Sequence, residues 1–284
     1  MLLSFVKMQG IGNDFIVLDH RSERTKNLRE KITLPLAVQL CDRRFGIGAD
    51  QILWLKPAEN REAEVRMEIL NADGSIAEMC GNGIRAVALF VHQNSLQGLA
   101  NPSFQKNEYL IETLAGLKKV QVEGESVRVD MGPPVLGEGF KAQGEELEVF
   151  GKKLKFFEVN MGNPHAVFFV DEVHQLPYDF SIEKLGSEIE NHPRFPKRTN
   201  VEFVQVKNSS SIVVRVWERG AGVTLACGTG ACASAVAALA TSRVHGPVEV
   251  NLPGGKLIID WKGMGQSVFM KGPAKEVFTG TIHI

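Results

Sequence analysis

The chain has 284 residues, with 32 Lys and Arg against 33 Asp and Glu, and this near-neutrality gives no footing for nucleic acid or for attraction to an anionic membrane. At roughly 150 residues per domain, the length predicts two domains, each able to bury its own core. No apolar run reaches the roughly 18 residues of a membrane span, and Lys7, Asn13 and Asp14 break up the N-terminal apolar residues, so no signal peptide is expected and the expected location is cytoplasmic.

In chain order, the first half reads as a strand at Phe15–Leu18, a helix at Leu34–Asp42 with Pro35 in the turn that tolerates it, strands at Ile52–Leu55 and Val65–Leu70, and a helix at Gly83–His92. The polar stretch Gln93–Glu108, which contains the turn-rich Gly98–Pro102, reads as a surface loop before a strand at Leu110–Thr113. Val127–Met131 follows as a strand, its alternation extending back to Ser126, and the segment near Gly124 and Gly132–Gly139 is the expected junction between domains. The second half continues with strands at Lys153–Val159 and Val167–Val170, a helix at Ile182–Asn191 and an alternating strand at Ile212–Trp217. A helix at Gly230–Arg243 then leads to the turn Pro253–Gly255. Within that last helix Ala231–Ala240 is apolar all round and made almost wholly of small side chains, which predicts burial on every side with backbone close against it. Gly83–Phe90 is its bulkier counterpart.

The two halves repeat one another. Cys80-Gly81-Asn82-Gly83 recurs 147 residues later as Cys227-Gly228-Thr229-Gly230, and the offset also pairs Ala86 and Ala88 with Ala233 and Ala235. At an offset of 150, Gly12-Asn13 meets Gly162-Asn163, Arg44-Phe45 meets Arg194-Phe195, and Asp50 meets Asn200. A repeat this long is a duplicated domain and not a short-period solenoid. The expected fold is therefore α+β, with two pseudo-symmetric domains, each a curved, mostly antiparallel, barrel-like sheet around a central helix, and an active site in the cleft between them.

A Gly-x-Gly turn opening a helix presents unpaired backbone N–H groups at the positive end of the helix dipole, which suits a carboxylate. The adjoining cysteine shares that field, and helix N-termini lower thiol pKa values, so both thiols are expected to be activated. Two such loops suit inversion of a carbon centre, one thiol acting as base on one face and the other as acid on the opposite face. Cys41 and Cys232 lie in apolar stretches and read as buried core residues. There is no CxxC, so a metal site is not expected. A cysteine hydrolase using His165 would leave the second Cys-Gly-x-Gly unexplained. Glu218-Arg219, directly before Gly220-Ala221-Gly222 and the second loop, offers a guanidinium that can hold a second carboxylate in two places.

Motifs spread over nearly the whole chain resemble those of the diaminopimelate epimerase family: Met8–Phe15, Arg44–Gln51, Asn71–Ser75, Glu78–Gly83, Asn160–His165 and Glu218–Gly222 through Ala226–Gly230. The resemblance implies a cofactor-independent isomerase that interconverts LL- and meso-diaminopimelate, with Cys80 as base and Cys227 as acid toward the LL-substrate. It implies that the peptide N–H groups of Gly81-Asn82 and Gly228-Thr229 hold the reacting carboxylate. Asn13, Gln51 and Glu218 would surround that end of the substrate, Asn71, Asn163, Asn200 and Arg219 would grip the distal end, and His165 would stand near the site. It also implies that residues 273–284 return to a first domain formed by 1–124, leaving 125–272 as the second. The expected partner is a small-molecule substrate alone, with a homodimer left open. Val223 stands where many relatives carry Glu. The alternatives are a proline racemase or hydroxyproline epimerase, disfavoured by the Glu218-Arg219 clamp, and a non-catalytic binding protein on the same scaffold, which would have no need of both thiols.

Overall fold

A computed structural model describes residues 2–22, 33–95, 106–137, 140 and 142–284. Two compact units emerge, one formed by residues 1–129 with 272–284 and the other by 130–271. In the first, the chain runs β1 (Leu2–Gly10), β2 (Asn13–Asp19), α1 (Leu34–Cys41), β3 (Gln51–Lys56), β4 (Val65–Asn71), β5 (Ile76–Ala77), α2 (Gly81–Ser95), β6 (Glu108–Thr113), β7 (Gly116–Glu123) and β8 (Ser126–Asp130). The second contains β9 (Val135–Leu136), β10 (Glu145–Val149), β11 (Lys152–Asn160), β12 (Pro164–Phe169), α3 (Ile182–Glu190), β13 (Asn200–Asn208), β14 (Ser211–Glu218), β15 (Gly222–Thr224), α4 (Gly228–Ala240), β16 (Val248–Leu252), β17 (Gly255–Trp261) and β18 (Val268–Pro273). The last strand, β19 (Lys275–His283), pairs antiparallel with β1 and so belongs to the first unit. Among the described residues no helix is long and apolar enough to cross a membrane.

The duplication is complete at the level of topology. From β1 to β8 the pairings run antiparallel, parallel, antiparallel, antiparallel, then parallel from β4 to β6 and antiparallel twice more. The same senses recur in the same order from β11 to β18. Strand β10 lies antiparallel on β11 as β19 lies on β1. Register refines the sequence alignment: Phe15 faces Gln51 and His165 faces Asn200, so the partner of Asn200 is Gln51, not Asp50. The connection before β3 is one residue longer than that before β13, which a constant offset misses.

Each unit wraps its sheet around one helix. Helix α2 touches β1, β2, β6, β7 and β19, whereas α4 touches β11 to β14, β16 and β17. Residues Gly81–Val91 of α2 are all buried, as are Gly230–Ala238 of α4, so neither stretch has a wet face. A second helix covers the other face of each sheet. Thr33 Oγ1 caps α1 by accepting from Leu36 N at 3.4 Å, and Ser181 Oγ caps α3 by accepting from Lys184 N at 3.3 Å. Helix α2 runs further than expected, because Asn94 and Ser95 bond back to the carbonyls of Phe90 and His92 at 2.8 Å. The expected loop therefore loses Gln93–Ser95 to the helix and Glu108 to β6. Gly98–Pro102, most of the remaining loop, and the Glu138-Gly139 end of the expected junction lie outside the described residues.

Helix α3 meets the sheet at Gly186, where a Cβ would stand 2.5 Å from the Trp217 ring. Gly186→Ala is expected to destabilise the protein. The helix-propensity gain of about 1 kcal/mol is smaller than an overpacking cost of about 1–3 kcal/mol against an indole pinned at 2.7 Å to Glu190. A lower urea midpoint with unchanged slope is the expected result; a raised midpoint would show that the indole gives way freely.

Candidate active site

Each cysteine stands immediately before a core helix, and the two local geometries match. Gly83 N donates to Cys80 Sγ at 3.3 Å, and Ile84 N to Cys80 O at 2.9 Å. Gly230 N donates to Cys227 Sγ at 3.4 Å, and Ala231 N to Cys227 O at 2.9 Å. The sulfur thus takes the place of a capping oxygen, satisfying one of the N–H groups that a helix start leaves over. Glycine is required at the donating position. A Cβ on Gly83 would meet Leu53 at 2.9 Å and the Cys80 sulfur at 3.4 Å, and one on Gly230 would meet Glu202 Oε1 at 2.8 Å and the Cys227 sulfur at 3.3 Å.

In the first unit, the Cys80 thiol faces Asn13 Oδ1 at 3.7 Å. The amide is turned that way because Asn13 Nδ2 donates to Asp50 Oδ2 at 2.6 Å. Asp50 also takes Arg43 Nη2 at 2.7 Å, and Arg43 forks onto Asp14 at 2.7 and 2.9 Å. Lys7 closes the network on Asp14 at 2.7 Å and donates to Gly48 O. Burial pushes the Asp14 carboxyl up, but hydrogen bonds and charge from Arg43 and Lys7 outweigh it and hold the group well below the usual carboxylate range. Gln51 Nε2 donates to Asn71 Oδ1 at 2.8 Å, which ties together two residues that the resemblance assigns to opposite ends of the substrate. Arg85 is fully buried and donates to Gly81 O, Asn82 Oδ1 and Pro273 O at 3.0–3.2 Å, bracing the first turn of α2 from inside.

The second unit assembles Asn163, His165, Asn200, Glu218, Arg219, Cys227, Gly228 and Thr229. Thr229 Oγ1 lies 3.5 Å from Cys227 Sγ and accepts from Asn163 Nδ2 at 3.4 Å. Asn163 Oδ1 meets His165 Nε2 at 2.9 Å, and His165 Nδ1 meets Glu202 Oε1 at 2.7 Å. Glu218 Oε1 accepts from Thr224 at 2.6 Å. Arg219 is fixed through its backbone, its N–H donating to Asn200 Oδ1 at 3.0 Å, while one guanidinium nitrogen reaches Lys197 O at 3.2 Å. Buried Glu190 holds the same turn by accepting from Trp217 Nε1 and Gly220 N at 2.7 and 2.9 Å.

The expectation that a helix N-terminus lowers both thiols fails at Cys227. Burial pushes that thiol well above its ordinary range, with Glu218 and Glu202 adding to the shift and the hydrogen bonds from Thr229 and Gly230 opposing it. Cys41 and Cys232 are buried as expected, and burial pushes the Cys41 thiol up to about 11. Sequence reasoning missed Glu202 and the Lys7–Asp14–Arg43–Asp50 network. The one signal for Glu202 was a charged residue inside the apolar run Val201-Glu202-Phe203-Val204.

Against known proteins, the family model described as diaminopimelate epimerase matches residues 5–137 and 157–277. The chain belongs to the diaminopimelate epimerase family. A relative named diaminopimelate epimerase from Carboxydothermus hydrogenoformans is 49% identical over 286 residues, covering 98% of each chain. Another, diaminopimelate epimerase 1 of a Nostoc species, is 45% identical over 293 residues, covering 99% of this chain and all of its own. Among solved structures, a hydroxyproline epimerase from Agrobacterium vitis with bound trans-4-hydroxy-L-proline shares the fold at a TM-score of 0.68 and 17% identity, covering 99% of this chain and 92% of that one. A PhzF-family phenazine biosynthesis protein of Bacillus anthracis does so at 0.69 and 13%, covering all of both.

The depressed Asp14 carboxyl carries a pH signature in this family member. A carboxylate whose folded pKa lies below its unfolded value, about 3.9, contributes stability that is present above that value and is lost as pH falls toward the folded pKa. Asp14→Asn is expected to lower the urea midpoint at neutral pH, with the gap to wild type narrowing steadily below about pH 4. A gap independent of pH would show that the network does not stabilise the charged form.

Proposed function

We propose that the protein interconverts LL- and meso-diaminopimelate by two-base proton transfer, Cys80 and Cys227 carrying the proton. The family membership supports this reaction, which belongs to lysine biosynthesis. The observation that carries the mechanism is the recurrence of one sulfur-capped helix start in two topologically equivalent units. One thiolate removes the α-proton and the other thiol returns a different proton to the opposite face, so configuration inverts, the substrate's composition is unchanged and the protonation states of the two cysteines are exchanged. Backbone N–H groups at the helix starts stabilise charge as it develops on the carboxylate. In the LL-to-meso direction Cys80 is the base and Cys227 the acid; the raised Cys227 thiol supports that assignment, because an acid must begin protonated.

Arg219 supports a substrate with two amino-acid ends. Its backbone is anchored by Asn200 and its side chain is exposed, with no carboxylate partner among the described residues. This favours a distal carboxylate over the cyclic substrates of the proline racemase reading.

Incubation with LL-diaminopimelate in deuterated water is expected to give the meso isomer with deuterium at one α-carbon. Cys80→Ala and Cys227→Ala are each expected to slow turnover by about a hundred- to ten-thousandfold. Near-normal turnover in either variant would sink the two-base mechanism. Arg219→Lys keeps the charge but loses the planar fork. Its KM is expected to rise about tenfold or more, and an unchanged KM would remove Arg219 from the substrate site.

A further inference from the structure

Glu202 and His165 are fully buried on the adjacent parallel strands β13 and β12. Burying such a pair carries a desolvation cost that only good pairing recovers. The fold does not require it. Phe15 and Leu53 occupy the corresponding places in the first unit, since Phe15 faces Gln51 and Val17 faces Leu53 as His165 faces Asn200 and Val167 faces Glu202. The same strands and the same capped helix are built there on an apolar pair. A polar pair in only one of two equivalent units has a task beyond holding the sheet together.

We propose that Glu202 is a positioning residue for Cys227, acting through an ordered run of hydrogen bonds over His165, Asn163 and Thr229. The links measure 2.7 Å from Glu202 to His165, 2.9 Å from His165 to Asn163, 3.4 Å from Asn163 to Thr229 and 3.5 Å from Thr229 to the sulfur. Each link dictates the next. Asn163 Oδ1 can only accept, so His165 Nε2 carries a hydrogen and a single proton lies between Nδ1 and Glu202 Oε1. With Oδ1 engaged, Asn163 Nδ2 faces Thr229 Oγ1, which accepts and is left with its own hydrogen for Cys227. The sulfur then receives two hydrogen bonds, from Thr229 O–H and Gly230 N–H, a pattern that steadies the thiolate each turnover must form. The Glu202 carboxylate also presses on Gly230 from beneath, where a Cβ would stand 2.8 Å from Oε1. The charged groups acting on the sulfur are Glu218 on β14 and Glu202 on β13, with His165 on β12 joined to the latter.

The carboxyl group and its geometry separate in two substitutions. Glu202→Asp keeps the carboxyl but draws it one methylene away from Nδ1. Glu202→Gln removes the carboxyl, yet its amide N–H donates to Nδ1 and leaves Nε2–H on Asn163. The reaction of Cys227 with methyl methanethiosulfonate, mapped by mass spectrometry in the substrate-free protein, reads the thiol directly. Glu202→Asp and Thr229→Val are each expected to slow it about tenfold, with Cys80 unchanged. The double variant should be no slower than Thr229→Val alone, and Glu202→Gln should stay close to wild type. The values of kcat should follow the same ranking, with KM little changed. The reverse ranking of Asp and Gln, or additive losses in the double variant, overturns the proposal. Should Glu202→Asp fail to fold, the graft His165→Phe/Glu202→Leu installs the first unit's pair, and unchanged Cys227 reactivity in it is equally fatal. The kinetic arm rests on Cys227 as a proton carrier. Full turnover in Cys227→Ala would remove that reading, while the thiol measurement would still decide the role of Glu202.

Discussion

A sulfur atom accepting the backbone N–H three residues into a helix is the contact on which the rest of this structure depends. To make it, the helix must begin at the cysteine itself, and the donor must be a glycine, because Leu53 or Glu202 leaves no room for a Cβ at that point. The strand carrying that neighbour must pass close behind the helix start. The helix therefore sits within the curl of its sheet and is buried along Gly81–Val91 or Gly230–Ala238. Small residues in α4 allow strands to approach from six directions. A thiol at the start of a helix buried along most of its length follows from these packing demands.

Topological equivalence does not mean chemical equivalence. Beneath the first helix start lie Phe15 and Leu53, with the guanidinium of Arg85 bracing the turn; beneath the second lie His165 and Glu202, with Cys232 at the position 147 residues beyond Arg85. The scaffold thus places a buried cation at one helix start and a buried acid at the other. In the proposed two-base reaction the two thiols take opposite roles and need different electrostatic surroundings at rest, which divergence at a few interior positions of the duplicated scaffold supplies.

Much of this was legible in the sequence where the information was local. The alternating strands at Ile212–Trp217 and Val127–Met131 declare themselves by period, the four helices by apolar runs between turn signals, and the cysteine loops by their recurrence. Two of the strands that escaped offer no alternation to read. Residues 200–205 of β13 are buried on both faces, so no alternation marks them. Strand β19 is exposed over most of its length and likewise shows no amphipathic pattern. The hydrogen-bond run behind Cys227 joins residues 66 apart at one link and 37 apart at another, and only strand register brings them together. Asp50 sat inside a recognised motif, yet its task of turning the Asn13 amide could be seen only once Arg43 and Asp14 were in place.

The placement of β19 has a consequence for how the chain is made. The second unit is contiguous, its edge strand β10 emerging just before the β11 it flanks. The first unit takes its equivalent edge from the far end of the sequence, where Leu2 pairs with His283. On the ribosome, the N-terminal unit is therefore held open along β1, with α2 lacking one of its walls, throughout synthesis of the unit that follows it. Loop closure across nearly the whole chain is slow, and an unpaired strand edge beside an apolar helix is what aggregation and chaperones both recognise. In vectorial synthesis the second-made unit is the first able to finish, reversing the usual order for a two-domain protein.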